Sequence, residues 1–455
     1  MSNKVQIKPK DRDAVIQSLR AGVVPRSGQH LIQVGRVREL EALIQDLERI
    51  ADGGSGIRFV IGEYGSGKTF FLSLVRAIAL KKKLVSAHAD LTPDRRLHAS
   101  KGQTRSLYAE LMRNLATRSK PEGGALASIV EKFVSSTMMA GRTQNVTPEV
   151  IIQERLENLS EMVGGYDFAE VIAAYWRGHD TGNDLLKSSS VRWLRGEFST
   201  KTDAKKALGV RTIIDDTNFY DQLKLFARFV KLAGYEGLVI CLDELVNLYK
   251  LSNTQARKSN YEQILRILND SLQGISEGLG FVLGGTPEFL MDTRRGLYSY
   301  EALQSRLAEN TFAGNGIVDF SHPVIRLANL SQEDLYVLLT KIRHVFAGGE
   351  PEKYLISDLG IQKFMQHCFQ KVGEAYFRTP RSTITAFINL LAVLEQNPNV
   401  AIEDLIGKIT IQQEVNPDLL PLEEGEVTNN NAGTLPEMLV DTEKEDYDNL
   451  ASFKL

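Results

Sequence analysis

The chain has 455 residues, 43% of them hydrophobic and 24% charged, which excludes wholesale disorder and leaves room for about three folding units. Fifty-four Lys plus Arg against 57 Asp plus Glu give a net charge of −3, so no overall positive field draws the chain to nucleic acid. Two cysteines, Cys241 and Cys368, make neither a disulfide framework nor a four-ligand zinc site.

The opening MSNKVQIKPK lacks a signal-peptide core, and an apolar run such as Ala386 to Leu394, interrupted by Asn389, is too short to span a membrane. A soluble, cytoplasmic protein with no membrane partner is expected. Residues 1–33 form a mildly basic lead. From Val34 the spacing of Leu40, Leu43, Ile44, Leu47 and Ile50 predicts an amphipathic helix that stops in the glycine loop at 52–56. Ile57 to Ile61 is a β-branched and aromatic run of strand length. It leads directly into Gly62-Glu63-Tyr64-Gly65-Ser66-Gly67-Lys68-Thr69 and a helix from Phe70 to about Lys81.

A second strand is predicted over Leu84 to Asp90 and a helix over Thr104 to Leu115. Polar, helical sequence follows to Val210 and contains Trp176 and Trp193. A helix from Phe219 to Ala233 precedes the buried-strand pattern Gly237 to Asp243, which ends on Asp243 and Glu244. Tyr261, Ile264, Leu265, Leu268, Leu272 and Ile275 mark another amphipathic helix, and Phe281 to Leu283 a strand broken by Gly284 and Gly285. After His322-Pro323 the pattern is helical to Lys408. The last 35 residues hold nine Asp or Glu and two Lys and read as a mobile tail.

Alternating strands and helices predict an α/β fold with a parallel sheet, a P-loop NTPase core. Its expected boundaries are 34–118 and 211–323 for the core, 119–210 for a helical insertion, 324–410 for a C-terminal helical lid and 411–455 for the acidic tail.

Gly62, Gly67, Lys68 and Thr69 match G-x-x-x-x-G-K-[ST] in full. The glycines let successive backbone N–H groups curl round a phosphate, and the following helix aims its positive end at the charge. Lys68 is expected to reach the β- and γ-phosphates, and the Thr69 hydroxyl to hold Mg²⁺. Asp243, at the end of a buried strand, suits Mg²⁺, and the adjacent Glu244 suits a general base for an attacking water. Thr200-Lys201-Thr202-Asp203 spells a guanine-specificity element but precedes Asp243, so adenine, and therefore ATP, is the expected base.

Val34-Gly35-Arg36-Val37-Arg38-Glu39-Leu40 resembles the GR-x-x-E box of initiator-type AAA+ and STAND ATPases, a segment that in those proteins helps hold the adenine. With Leu19 to Pro25, Arg58 to Phe71, Ala89-Asp90-Leu91, Leu97-His98, Gly237 to Leu245, Gly284 to Phe289 and Arg378 to Arg381, the chain resembles the ATP-binding proteins of BREX-type bacteriophage-exclusion systems. Gly35, Arg36 and the loop from Gly62 to Phe70 would then hold nucleotide. The resemblance places Thr286 nearest the position of a γ-phosphate sensor, although the usual Asn is missing. It sets Arg306, within Tyr300 to Leu307, where related proteins supply an arginine finger in trans; the plainer alternative is a pair with a surface acid. Arg381 resembles the second sensor in the lid, with Arg378 as fallback and a solvent-facing residue as the alternative.

The implied function is an ATP-hydrolysing motor or switch of a multi-protein, DNA-directed anti-phage system, acting as a homo-oligomer. Its implied companions are of helicase, TerB-like, methyltransferase or nuclease type. A STAND-like switch with little turnover and an initiator-like DNA loader are the alternatives. Direct DNA contact stays open. Lys187, Arg192, Arg195, Lys201, Lys205 and Lys206 around Trp193 offer either a stacking-plus-phosphate surface or an ordinary solvated face.

Overall fold

Five strands make one all-parallel sheet in the computed structural model, which describes residues 7–312, 318–372 and 380–409. They are β1 (Gly56–Gly62), β2 (Val85–Asp90), β3 (Leu238–Asp243), β4 (Leu279–Gly285) and β5 (Val324–Leu327), in the order β2-β3-β4-β1-β5. β1, β3 and β4 are buried along their whole length, as continuous apolar runs in a parallel sheet require. Because β4 lies between β1 and β3, the strand leading to the phosphate loop and the strand bearing the two carboxylates end on the same edge, one strand apart. That edge is where ligands of open parallel sheets sit.

Two differences from the sequence reading have simple causes. β4 runs on through Gly284 and Gly285, which act as spacers rather than breaks. A Cβ at Gly284 would stand 2.4 Å from Asp243 Oδ1 and 2.8 Å from Leu72 Cδ1. The second difference is β5, which falls inside the stretch read as wholly helical. Its four residues follow Pro323, and only pairing with β1, Phe59 to Val324 through Gly62 to Leu327, makes them a strand.

The helices Val37–Ala51 and Lys68–Lys81 cover one face of the sheet, where Leu43, Leu47, Phe71 and Val75 meet Val60, Val239 and Ile325. On the other face, Phe59 and Phe281 join Tyr108, Phe133, Phe168, Trp193 and Phe229, so the insertion shares one apolar core with the sheet. Trp193 is 1% exposed and donates its indole N–H to the Thr212 carbonyl at 2.8 Å. Burial therefore removes it from any base-stacking surface, and Trp176 is buried too. Thr200 caps the helix Lys201–Leu208, its hydroxyl accepting from the Asp203 N–H at 3.1 Å, so the apparent guanine element is a helix start.

A third core lies apart from the sheet. Pro9 opens the helix Pro9–Arg20, whose Val15 packs with Ile32 and with Leu335, Leu339, Ile342, Phe364, Phe387 and Leu391 of the lid. Arg12 donates to the Phe346 carbonyl at 2.7 Å, and Thr385 donates to the Leu19 carbonyl at 3.2 Å. Residues 7–32 thus belong physically with the lid helices Gln332–Phe346, Asp358–Val372 and Pro380–Gln396. The expected tail, 411–455, and Arg378 lie outside the described residues. Among the described residues, no helix is long and apolar enough to cross a membrane.

Candidate functional site

β1 ends at Gly62, and the chain turns through left-handed Gly65 (φ 80°) and Gly67 (φ 83°) into the helix Lys68–Lys81. A side chain at either glycine would strain the turn. Gly62 is needed for space, since a Cβ there would stand 2.4 Å from Ser66 Oγ. Lys68 arches back and donates to the carbonyls of Gly62 at 2.9 Å and Glu63 at 3.0 Å. Ser66 is 3% exposed, and its hydroxyl has no hydrogen-bond partner among the described residues.

Thr69, in the first turn of that helix, donates its hydroxyl to Asp243 Oδ2 at 2.7 Å, joining the two motifs across 174 residues of chain. Asp243 Oδ1 accepts from the Glu244 N–H at 2.9 Å. Glu244 adopts φ 58°, a left-handed conformation that costs a non-glycine residue about 1–2 kcal/mol. One strand over, Asp90 is the register partner of Asp243. Burial first, and the Asp243 charge second, raise the pKa of Asp90 above the usual carboxylate range.

A cavity of about 420 Å³ opens above the loop. Of the residues singled out from sequence, Gly35, Arg36, Tyr64, Gly65, Ser66, Gly67, Lys68, Thr69, Phe70, Glu244 and Arg381 line it. Gly62 and Glu63 lie beneath the lining as acceptors for Lys68, and Asp243 lies behind Thr69. The roof is apolar: Leu19, Val23 and Val24 from the lead face Leu338 and Ile384 from the lid. These five residues carry no chemical signature, and the sequence reading took their lead segment only as a mildly basic extension.

Arg36 takes a place the sequence did not foretell. Its guanidinium donates to the Ser66 carbonyl and, at 3.2 Å, to the Ala328 carbonyl. Burial lowers its pKa, while Glu39 and Asp334 nearby favour its charge.

Two other residues lie away from the cavity lining. Thr286 is 2% exposed, and its hydroxyl caps the helix Pro287–Met291 by accepting from the Phe289 N–H at 3.4 Å. Arg306 is exposed on the helix Glu301–Leu307 and donates to the Ala302 carbonyl of its own helix at 2.8 Å.

The residues present fit a nucleotide with Mg²⁺. The loop provides backbone N–H groups at a helix start, an unpartnered buried hydroxyl and a lysine. The Thr69 and Asp243 oxygens are hard ligands of the kind Mg²⁺ takes alongside waters and phosphate oxygens. The apolar roof suits a base.

The family described as BREX system ATP-binding protein BrxC/D matches residues 7–410. The chain belongs to this family. It is an ATP-binding protein of the BREX type of phage-defence system, and the other components of such a system are its partners. The match runs from the lead through the sheet to the last lid helix, so the family spans both walls of the cavity. No curated protein matches the chain.

Proposed function

We propose that this BREX protein hydrolyses Mg-ATP as an AAA+-like motor or switch. The observation that carries the reading is the Thr69–Asp243 hydrogen bond, which brings the phosphate loop and the carboxylate strand together with Glu244 on the cavity wall. Lys68 would neutralise phosphate charge. Thr69 and Asp243 would hold Mg²⁺, which when bound offsets the charge on the phosphate oxygens. Glu244 would accept a proton from the water that adds to the γ-phosphorus as ADP leaves.

Arg381, on the cavity wall, would tie the lid to the nucleotide. Arg306, pointing away from its own cavity, would serve a neighbouring copy in a homo-oligomer; such a finger is worth about 10³–10⁵ in turnover. Companions of helicase, TerB-like, methyltransferase or nuclease type would receive the movement. Glu244→Gln is expected to keep ATP binding and lose turnover by about 10²–10⁴-fold. Undiminished turnover in that variant would remove Glu244 as the base.

One observation favours a second reading, a STAND-like switch with little turnover: lead and lid share a core separate from the sheet, so occupancy alone has a body to move. Sedimentation with ADP and with a slowly hydrolysed ATP analogue, beside a turnover assay, separates the two. Assembly that depends on ATP with almost no turnover supports the switch; brisk turnover supports the motor.

A further inference from the structure

The chain crosses between the lead–lid core and the sheet-side core twice. The first crossing lies between Val34 and Leu40, the second between Leu327 and Leu330. Arg36 stands on the first. Its bond to the Ala328 carbonyl cross-links it to the second, and its bond to the Ser66 carbonyl attaches both to the back of the phosphate loop. The same crossing is held to the lid. Lys341 donates to the Gln33 carbonyl, and Asp334 lies so close that a Cβ on Gly35 would stand 3.3 Å from its Oδ1.

Arg36 is locked in this post by its backbone. It adopts φ 60° at the start of the helix Val37–Ala51, which aims the side chain away from that helix and toward Gly67. Both bonds leave from Nη2, whose two N–H groups reach carbonyls on different segments at once. Nη2 is thus held by the backbone of two segments, while the side chain also lines the cavity.

We infer that Arg36 is a positioning residue that couples occupancy of the phosphate loop to the angle of the lead–lid body. When phosphate draws the loop's N–H groups inward, the Ser66 carbonyl turns with them. Arg36 transmits that shift to Ala328, where the lid begins. The inference rests on the reading that nucleotide fills this cavity, but not on hydrolysis.

The test is hydrogen–deuterium exchange of the full chain with and without saturating ADP or a non-hydrolysed ATP analogue. It follows the phosphate loop (62–69), the lead helix (9–20) and the lid helix (332–346). In the wild type, nucleotide should slow exchange at all three, by about 5- to 150-fold at the lead and lid, the usual range of coupling between sites. Compared at nucleotide concentrations that saturate each protein, since Arg36 lines the cavity, Arg36→Met should lose the slowing at the lead and lid while the loop is still slowed. Arg36→Lys, whose shorter stem ends nearer its own backbone than Nη2 does, should do the same with a smaller loss and serves if the methionine variant does not fold.

Wild-type slowing at the lead and lid in either folded variant overturns the inference. So does a folded variant whose loop is unprotected at every nucleotide concentration, because Arg36 would then act by binding nucleotide rather than by passing its presence on. If the wild-type lead and lid do not respond while the loop does, the inference fails and the hydrolysis proposal still stands on the Glu244→Gln assay.

Discussion

On the sheet side, the cavity wall is made by residues 64–69, consecutive in the chain and held through Lys68 to the Gly62 and Glu63 carbonyls and through Thr69 to Asp243, with Glu244 added from the end of β3. On the opposite side the wall is assembled from Leu19, Leu338 and Ile384, held by apolar packing around Phe364 and Phe387, with Val23 and Val24 at its margin. The first wall is stiff because its geometry is local. The second owes its shape to a core of its own, joined to the sheet-side packing through Phe70, so it can shift about that contact as a body.

Four measurements would break or sharpen this contrast. Phe387 is fully buried, with its ring centroid 5.2 Å from that of Phe364. Phe387→Ala should cost the lead–lid body about 3–5 kcal/mol. Calorimetry should then show a low-temperature transition that leaves the sheet's main transition in place; a single transition lowered as a whole would mean the two bodies melt as one.

Lys68→Ala should do the reverse. It should weaken ATP binding by calorimetric titration about ten- to a hundredfold, through loss of charge-assisted hydrogen bonds worth about 1.5–3 kcal/mol, with little change in melting temperature. Unchanged affinity would take the lysine out of the site.

Gly22 joins lead to lid within the second wall. It has φ 69°, and a Cβ there would stand 3.1 Å from Arg381 Cδ. Gly22→Ala should destabilise by about 1–2 kcal/mol. It should also displace Arg381, read as faster nucleotide release in stopped-flow. Unaltered release would show that Arg381 sits loosely in its wall.

The smallest effect concerns pH. His88, on β2 beside the site edge, has its pKa lowered from 6.5 to about 4, first by burial and then by Arg76. The unfolded histidine accepts a proton that the folded one refuses. The stability this group contributes is therefore complete above about pH 6.5 and falls away as pH drops towards 4. His88→Gln should flatten the melting-temperature slope in that window; an unchanged slope would assign it to the carboxylates alone.

The same contrast explains what the amino-acid pattern disclosed. The loop, its flanking strand and helix, and the acidic pair on β3 were legible because glycine, lysine, threonine and aspartate are demanded there by backbone geometry and charge within a few residues. β5 was hidden, being a four-residue strand created by a neighbour rather than by its own composition. The lead looked like a basic extension because its charged residues mask the few apolar ones that bury it, among them Val15, Ile16, Leu19 and Ile32. Arg36 carried a motif, yet nothing in a motif says that its guanidinium reaches a carbonyl 292 residues away. Trp193 shows the converse: set among basic residues it suggested a surface, but the apolar core claimed it.

The packing of the lead against the lid also bears on the order of events at the ribosome. Arg12 and its acceptor Phe346 are 334 residues apart, so the helix Pro9–Arg20 waits for the helix Gln332–Phe346. At synthesis rates of roughly 5–20 residues per second, that interval is on the order of 20–70 s. Throughout it, Val15, Ile16 and Leu19 lack their lid partners, while the sheet-side elements that follow them are already emerging.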